Sequence, residues 1–249
     1  MKTKKEKASL QTKDFETESL RYVSSYIVNS GNRDNFFPDS IKGEVKSILD
    51  VGCGNGEFLF AWKKHYKAAH AIGVEPSKKA VELLRTKWKE EIGKNPAINK
   101  TGGLEFKAAY AHRLPFKTDS FDIVTVWSVL HWIGRNEYLQ SLGELIRVCK
   151  KYLVIMDFVG QKDYRTPYSH KAGLFTYKQD FEKIIKNSGT MRSIEKNRWF
   201  VDPTTEDLCF IDKAQLNPFE KTINYHSRKM VVFQKDYEAL LVKSEGDFG

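Results

Sequence analysis

The chain has 249 residues, of which 41% are hydrophobic and 29% are charged. This composition is typical of a folded α/β domain and excludes a disordered, collagen-like or repeat protein. The 41 lysines and arginines outnumber the 32 acidic residues, which gives a formal charge of +9. The surplus favours anionic partners, either nucleic acid or a phosphorylated small molecule, and does not choose between them.

The cysteines and the apolar runs indicate the compartment. Cys53, Cys149 and Cys209 form no C-x-x-C pair, so we expect neither a disulfide scaffold nor a metal site. No apolar h-region follows the basic N-terminus, and no uncharged apolar run approaches the roughly 18 residues of a membrane span. The sequence therefore predicts a cytoplasmic protein without a signal peptide or a membrane span.

The N-terminal region divides into a charged tail and a helix. Residues 1–14 hold five lysines and no apolar periodicity, which predicts a flexible basic tail. Residues 15–28 place apolar side chains at helical spacing, so we expect a first helix there. We treat 15–249 as a single domain.

Apolar runs alternate with amphipathic ones from residue 45 onward, the pattern of βαβ units around a mostly parallel sheet. We predict strands at 45–50, 70–75, 104–110, 121–128, 152–158, 192–200 and 229–235. We predict helices at 57–67, 77–92, 136–149 and about 177–187. The segment 160–174 is too long for an ordinary connection, which points to a functional loop or lid.

The strongest local signal is a glycine turn between a buried strand and a helix, SILDVGCGNGEFLFAW at 47–62. Gly52, Gly54 and Gly56 let backbone N–H groups approach a ligand closely, and the helix N-terminus favours an anion. A P-loop is excluded because no Lys-Ser or Lys-Thr follows, and the third glycine comes one position too early for the dinucleotide fingerprint. A glycine turn without a ligand stays open as the alternative.

An acidic residue ends the next predicted strand. Glu75 lies in GVEPS, where a carboxylate can accept two hydrogen bonds from a ribose diol. The alternative is a solvated residue at a strand end.

In these motifs the chain resembles the class I S-adenosylmethionine-dependent methyltransferases, particularly the small-molecule branch often called type 11. The matching segments are DVGCGNG at 50–56, GVEP at 73–76, LPF at 114–116, SFDIV at 120–124, VLHWI at 129–133 and ELIRVCKKYLVIMDF at 144–158. The resemblance implies a Rossmann-like α/β fold with a mostly parallel seven-stranded sheet and helices on both faces. It also implies a cofactor-binding core at 45–159, with the N-terminal helix and a loop/helix insertion at 160–228 as acceptor cap.

The resemblance further implies S-adenosyl-L-methionine as cofactor and S-adenosyl-L-homocysteine as product. The turn from Gly52 to Gly56 would hold the methionine part, Glu75 the ribose hydroxyls, and Pro76 would border the adenine. The implied cofactor-binding residues are Asp50, Gly52, Cys53, Gly54, Asn55, Gly56, Glu75, Pro76, Tyr110, Ala111, His112, Trp127 and Ser128.

Adenine recognition departs from the family's pattern. The family normally carries an acid before LPF that bonds the adenine amino group, and this chain has AAYAHRLPF, with Tyr110 in that position. Either the Tyr110 hydroxyl or His112 replaces the carboxylate, or backbone and water meet the amino group.

Methyl transfer from a sulfonium is an in-line displacement in which an enzyme chiefly aligns the reactants, with a base only if the acceptor must lose a proton. His131, just after the fourth predicted strand, is the candidate base because imidazole titrates near neutrality. The alternative is that His131 packs or bonds beneath the cofactor.

Acceptor contacts are expected at the carboxyl ends of the strands and in the segments that flank the core. The candidates are Tyr22, Tyr26, His131, Asp157, Tyr168 and His170. Further candidates are Asp163, Tyr164, Trp199, Phe200 and His226. Packing, or an ordinary place on the surface, is the alternative for all of them.

The favoured function is methyl transfer to a small-molecule or glycan-type acceptor, sugar-containing or phosphorylated, at oxygen. A nucleic-acid methyltransferase is disfavoured, since the Asn/Asp-Pro-Pro-Tyr/Phe motif that grips a flipped base is missing after the fourth strand and no thiol is placed for cytosine C5 chemistry. A wobble-uridine RNA methyltransferase needs neither feature and stays open. A noncatalytic module that keeps the cofactor fold is the second alternative.

Overall fold

The structure, a computed structural model, describes residues 19, 37–94, 104–158, 164–167, 173, 175–201, 208–211 and 228–236. The predicted tail at 1–14 lies outside these residues, as does the predicted helix at 15–28 apart from Ser19, which is helical. No helix within the described ranges is long and apolar enough to cross a membrane.

Strands and helices alternate along the described chain. The strands are β1 Ser47–Val51, β2 His70–Glu75, β3 Leu104–Ala108, β4 Phe121–Trp127, β5 Cys149–Phe158, β6 Tyr164–Pro167, β7 Phe175–Lys178, β8 Met191–Val201, β9 Leu208–Ile211 and β10 Arg228–Lys235. The helices are α1 Glu57–Tyr66, α2 Lys78–Lys94, α3 Arg135–Val148 and α4 Phe181–Asn187, with a 3-10 helix at Leu130–Trp132.

One large sheet organises the molecule, with the strand order β3-β2-β1-β4-β5-β10-β8-β9. Strands β1 to β5 are mutually parallel, whereas β10 runs antiparallel between β5 and β8. The predicted α/β fold and mostly parallel sheet are confirmed, because seven of these strands fall on the seven predicted segments. The short edge strand β9, antiparallel to β8, is an eighth that the sequence did not predict.

Side chains alternate between the two faces of the sheet, as the period of two along a strand requires. Helices α1 and α2 cover one face, in a core that contains Ile48, Ile123, Val154, Trp62 and Leu84. Helices α3 and α4 cover the other face, in a core that contains Leu49, Val124, Leu153, Leu142 and Phe181. The predicted arrangement with helices on both faces is therefore confirmed.

The segment after β5 differs from the prediction in two respects. Residues 164–167, expected in a loop, form β6, and residues 177 and 178, expected in a helix, belong to β7, which pairs with β6 in an antiparallel hairpin. The helix begins only at Phe181 because Asp180 is its N-cap and accepts a hydrogen bond from the Lys183 N–H at 3.0 Å. The hairpin lies against the 3-10 helix after β4, and so reaches the sheet edge where ligands bind in open α/β folds.

The junction of α3 and β5 also differs from the prediction. Cys149, expected to end a helix at 136–149, has extended backbone and begins β5, so helix and strand join without a loop. The Lys235 ammonium at the end of β10 donates to the carbonyl oxygens of Ile146 and Cys149 at 3.3 and 2.8 Å. A side chain thus satisfies acceptors that a helix end leaves without an intrahelical partner.

Candidate active site at the carboxyl ends of the strands

The predicted glycine turn follows β1 and leads into α1. Gly52, Gly54 and Gly56 have φ values of 74°, 53° and 80°, in the left-handed region that favours glycine. The N–H groups of Gly52 and Cys53 donate to the Val74 carbonyl at 2.8 and 3.2 Å, and the Gly56 N–H donates to the Cys53 carbonyl at 2.9 Å. Hydrogen bonds within the protein therefore fix the shape of the turn.

Two of these glycines also make room for neighbouring elements. A Cβ on Gly52 would lie 2.3 Å from Val129 in the loop after β4, and a Cβ on Gly56 would lie 2.6 Å from the Trp88 Nε1 of α2. That indole donates to the Asn55 carbonyl at 3.0 Å. The loops after β1 and β4 thus meet where the strand order reverses, which is the usual ligand crevice of an open α/β sheet.

Glu75 ends β2 and is buried against the turn. Its Oε1 accepts a hydrogen bond from the Gly54 N–H at 2.6 Å, and its Oε2 accepts one from the Ser19 hydroxyl at 2.5 Å. Burial raises the pKa of Glu75 to about 7, the two hydrogen bonds oppose that rise, and the charge of Asp50 adds to it. Glu75 is therefore a buried acceptor, in direct contact with the turn, that titrates near neutrality.

Asp50 supports the turn from within β1. Its side chain is buried, and its Oδ1 accepts a hydrogen bond from the Thr125 hydroxyl of β4 at 2.7 Å. Burial raises the pKa of Asp50 to about 7, although the hydrogen bond from Thr125 acts in the opposite direction. Asp50 thus links the strands on either side of the point where the order reverses.

Three further residues of the predicted cofactor set lie around the turn. The Cys53 side chain belongs to the core beside α1 and α2, and burial raises the pKa of its thiol well above the ordinary value. Asn55 Oδ1 accepts a hydrogen bond from the Glu57 N–H at 3.1 Å at the start of α1. Pro76 is half-buried directly after Glu75. Cys53 can therefore offer a ligand its backbone only.

The two predicted residues at the end of β4 link neighbouring elements. Trp127 packs against Phe58 of α1 with ring centroids 4.4 Å apart. Ser128 has a positive φ of 55°, and its N–H donates to the Met156 carbonyl of β5 at 2.8 Å. This tight turn directs the chain from β4 into the loop that carries His131.

The three residues at the predicted adenine position follow β3. Tyr110, Ala111 and His112 are half-buried, and the rings of Tyr110 and His112 stack with centroids 5.4 Å apart. The Ala109 N–H donates to the Glu75 carbonyl at 3.0 Å. The segment therefore starts next to Glu75, and its stacked pair offers both a phenol and an imidazole at that point.

A buried histidine–aspartate pair lies beyond β4 and β5. His131 Nδ1 is 2.7 Å from Asp157 Oδ1, and the two side chains are 7% and 1% exposed. Asp157 also accepts the backbone N–H groups of Leu130 and Phe158, both at 2.7 Å. Burial raises the pKa of Asp157, but His131 and these N–H groups lower it by more. The pKa of Asp157 therefore lies below its usual value.

The same environment keeps His131 neutral near pH 7. Burial lowers the pKa of His131, Asp157 acts in the opposite direction, and the positive charges of Lys178 and Arg228 lower it further. An ionised Asp157 accepts a hydrogen bond from the Nδ1–H of His131, which leaves the lone pair of the neutral ring on Nε2. The pair therefore has the arrangement of a base whose ring is oriented by a carboxylate.

Three residues near this pair were not among the sequence candidates. Phe158 packs edge-on against His131 with ring centroids 4.7 Å apart, and the charged groups of Lys178 and Arg228 lie 4.9 and 4.7 Å from the Phe158 ring centroid. Lysines and arginines are abundant in the sequence and no spacing connects these two with His131. The sequence predicted a strand at 229–235, which begins one residue after Arg228, but it did not predict that this strand pairs with β5.

Several acceptor candidates lie where no side chain is described. Tyr22, Tyr26, Asp163, Tyr168, His170 and His226 lie outside the described residues. Tyr164 is in β6 and Trp199 and Phe200 are in β8, where only their backbone is described. Within the described residues, no group of three or more His, Cys, Asp or Glu side chains is arranged to hold a metal ion.

Comparison with known proteins agrees with this geometry. Residues 48–152 match the family described as a methyltransferase domain, in a range that contains the glycine turn, Glu75 and His131. The matched residues are thus similar to a methyltransferase domain. The large sheet continues beyond the matched residues, because β8, β9 and β10 belong to it.

Similar proteins match only part of the chain in sequence. The demethylmenaquinone methyltransferase of Lactococcus lactis is 34% identical over 142 residues, which are 57% of this chain and 49% of that protein. An uncharacterized methyltransferase of Schizosaccharomyces pombe is 39% identical over 107 residues, 41% of this chain and 36% of that protein. The chain thus spans about half or less of the length of these curated relatives.

The fold similarity extends further than the sequence similarity. The structure of a SAM-dependent methyltransferase from Methanosarcina mazei has a TM-score of 0.55 at 18% identity, over 78% of this chain and 94% of that one. The similarity in fold therefore extends well beyond residues 48–152.

The packing at Gly56 predicts a large loss of stability on substitution. In Gly56→Ala the new Cβ meets Trp88 Nε1 and Phe106 at 2.6 and 2.9 Å, in backbone with φ 80°. We expect the free energy of unfolding to fall by about 2–4 kcal/mol in urea denaturation. Gly54→Ala is the control, since its Cβ meets nothing within 4 Å and only the positive φ costs about 1 kcal/mol. Equal losses in the two variants would contradict this account.

Proposed function

We propose that the protein is an S-adenosyl-L-methionine-dependent methyltransferase that transfers the methyl group to oxygen on a small-molecule or glycan-type acceptor. The observation that carries the proposal is the buried Glu75 carboxylate bonded to the Gly54 N–H of the turn. A carboxylate at the end of β2 beside a glycine turn suits the two hydroxyls of a ribose. The methyltransferase domain at 48–152 supports the same conclusion.

The residues present fit this cofactor. Glu75 Oε2, which here accepts the Ser19 hydroxyl, would accept a ribose hydroxyl in its place. The turn from Gly52 to Gly56 would hold the methionine part, and Pro76 with residues 110–112 would border the adenine. When bound, the cofactor supplies a methyl group on a positively charged sulfur, so the protein's task is alignment and removal of the acceptor proton.

His131 is the group proposed to take that proton. Asp157 keeps the Nδ1 proton in place, which leaves Nε2 to accept the proton of an acceptor hydroxyl. The lowered pKa of His131 keeps the ring unprotonated at neutral pH. The hairpin of β6 and β7, next to the 3-10 helix, forms part of the proposed acceptor cap at 160–228.

Glu75→Gln tests the placement of the ribose. Removing the charge from a carboxylate that accepts hydrogen bonds should cost about 1.5–3 kcal/mol, or roughly 10- to 100-fold in affinity for S-adenosylhomocysteine measured by calorimetry. Glu82→Gln, at an exposed position of α2, is the matched control and should bind as the wild type does. No binding to the wild type would overturn the proposed function, and unchanged affinity in Glu75→Gln would overturn the assignment of the ribose.

The raised pKa of Glu75 predicts a pH dependence of this binding. Because the pKa is about 7, the ionised acceptor form is lost as the pH falls through 7. Affinity for S-adenosylhomocysteine should therefore be about tenfold weaker at pH 6 than at pH 8. Glu75→Gln should flatten the profile, whereas Asp50→Asn should move its midpoint to lower pH, since Asp50 raises the pKa of Glu75. A profile unchanged in Glu75→Gln would assign the titration to another group.

Transfer of a labelled methyl group from the cofactor identifies the acceptor. A panel of sugar nucleotides, lipids, hydroxylated small molecules and RNA should show label in a hydroxyl-bearing small molecule or glycan intermediate. Label in RNA alone would overturn the proposed acceptor class in favour of a wobble-uridine type of enzyme, and label on nitrogen or carbon would overturn the assignment to oxygen.

The variant His131→Asn tests whether His131 acts as a base or only packs beneath the cofactor. As a base, His131 should be needed for transfer, so kcat should fall by about 100-fold or more while affinity for S-adenosylhomocysteine stays the same. Because the pKa of His131 is lowered, kcat of the wild type should stay constant near neutral pH and fall only at a pH below the usual imidazole value of about 6.5. His70→Asn, at the exposed start of β2, is the control. Weakened cofactor binding with an unchanged pH profile would contradict the role of base.

A further inference from the structure

Two of the sequence motifs, LPF at 114–116 and ELIRV at 144–148, have no role in the proposed function and meet in the structure. The first directly follows the residues proposed to border the adenine, and the second ends α3. Glu144 and Arg147 lie three positions apart on this helix, so their side chains lie on the same face. The helix thus presents a carboxylate and a guanidinium side by side next to the LPF segment.

Glu144 and Arg147 form a bidentate ion pair, hereafter the α3 ion pair. The Arg147 Nε lies 2.6 Å from Glu144 Oε1, and Nη2 lies 2.9 Å from Oε2. The hydrogen bonds from Arg147 lower the pKa of Glu144, burial raises it, and the Leu114 N–H lowers it further, so the carboxylate is ionised at neutral pH. The two side chains are partly exposed, and such a pair by itself adds little stability.

The α3 ion pair also holds three polar backbone atoms of the LPF segment. Glu144 Oε2 accepts a hydrogen bond from the Leu114 N–H at 2.8 Å. The Arg147 guanidinium donates to the carbonyl oxygens of Leu114 and Phe116 at 3.1 and 2.8 Å. This arrangement needs the planar fork of an arginine, which offers several N–H groups in fixed directions. Each side chain therefore binds both its partner and the loop.

The loop before Leu114 is fixed at its other end to β2. The Ala109 N–H donates to the Glu75 carbonyl at 3.0 Å. The Arg113 N–H donates to the Tyr110 carbonyl at 3.0 Å and closes a four-residue turn, hereafter the adenine turn. Leu114 follows directly and is buried in the core that α3 covers. The adenine turn is thus held between the end of β2 and the α3 ion pair.

The adenine turn contains the three residues proposed to border the adenine, Tyr110, Ala111 and His112. They are half-buried, and the two rings stack with centroids 5.4 Å apart. The charge of His112 contributes to the lowered pKa of Glu144, so the turn lies within electrostatic reach of the α3 ion pair. The turn has no carboxylate of its own to bind the adenine amino group. Recognition therefore depends on how its rings and backbone are held.

We propose that Glu144 and Arg147 are positioning residues that hold the adenine turn in the shape that binds the adenine of the cofactor. This inference rests on the proposed function, because it assigns the adenine to that turn. The two side chains act through the backbone of Leu114 and Phe116. The methyl group is transferred at the other end of the cofactor, near His131. Loss of the α3 ion pair should therefore weaken cofactor binding at its adenosine half.

Arg147→Met tests the positioning role, because it removes the four side-chain hydrogen bonds of Arg147. We expect about five- to tenfold weaker binding of S-adenosylhomocysteine in calorimetry, the effect of losing one or two well-placed contacts to the adenine. Binding of 5′-methylthioadenosine, which keeps the adenine and lacks the amino acid, should weaken by the same factor. Weaker binding of S-adenosylhomocysteine alone would place the effect at the methionine end and overturn the proposal.

Arg85→Met is the matched control for a loss of stability. Arg85 of α2 also donates two side-chain hydrogen bonds to backbone, at 3.0 and 2.6 Å to the Phe106 carbonyl of β3. This variant should have a lower melting temperature and bind S-adenosylhomocysteine as the wild type does. An equal loss of affinity in Arg85→Met and Arg147→Met would show that general stability, and not the position of the adenine turn, controls binding.

Arg147→Lys separates the geometry of the guanidinium from its charge. The ammonium keeps the charge but cannot bind Glu144 and two carbonyl oxygens in one plane, so affinity for S-adenosylhomocysteine should stay roughly threefold or more below that of the wild type. Full affinity in Arg147→Lys would mean that a positive charge alone suffices, and would contradict a role in positioning the turn.

Hydrogen exchange followed by mass spectrometry locates the effect in the free protein. Peptides that cover 109–116 should exchange faster in Arg147→Met than in the wild type, whereas peptides that cover β4 should exchange at the same rate. Unchanged exchange at 109–116 would overturn the proposal. No binding of S-adenosylhomocysteine to the wild type would overturn the proposed function, and normal binding to both the wild type and Arg147→Met would overturn the positioning role alone.

Discussion

The hydrogen bond from the Gly54 N–H to the Glu75 carboxylate is the contact on which the candidate site depends. This hydrogen bond joins the turn after β1 to the end of β2. The glycines that form the turn have positive φ values. The buried carboxylate titrates at about pH 7, which shows that hydrogen bonding offsets only part of its desolvation. A group held this way is costly to the free protein, as expected where ligand binding rather than stability determines the residue.

Glu75 and Asp157 are both buried carboxylates, and their pKa values move in opposite directions. Asp157 accepts two backbone N–H groups and an imidazole and stays ionised, whereas Glu75 accepts one N–H and one hydroxyl and lies near the charge of Asp50. The donors around Asp157 are built into the chain and fix it as an orienting group for His131. Glu75, by contrast, is the group proposed to accept the ribose hydroxyls. The donors and charges around each carboxylate, and not its burial, therefore set the opposite shifts of the two pKa values.

The sequence predicted the large sheet, the glycine turn and Glu75, because a period of two, glycine punctuation and a strand-end acid are local signals. It did not predict β6 and β7, since Tyr177 and Phe181 also fit a helical stripe and the N-cap at Asp180 decided the boundary. It also missed Lys178 and Arg228. A hairpin and an antiparallel strand bring these residues to Phe158 from distant parts of the chain, and no spacing in one sequence records such a meeting.

The formal charge of +9 is a weak guide to function because residues 1–14, with five lysines, Glu6 and Asp14, contribute three of its nine positive charges. The position of a charge is more informative than its total. Lys196 and Lys229 both pair with Glu182, and Lys178 and Arg228 both lie against the ring of Phe158. The distribution of charged side chains around each carboxylate and ring is therefore more informative about the structure than the total charge of the chain.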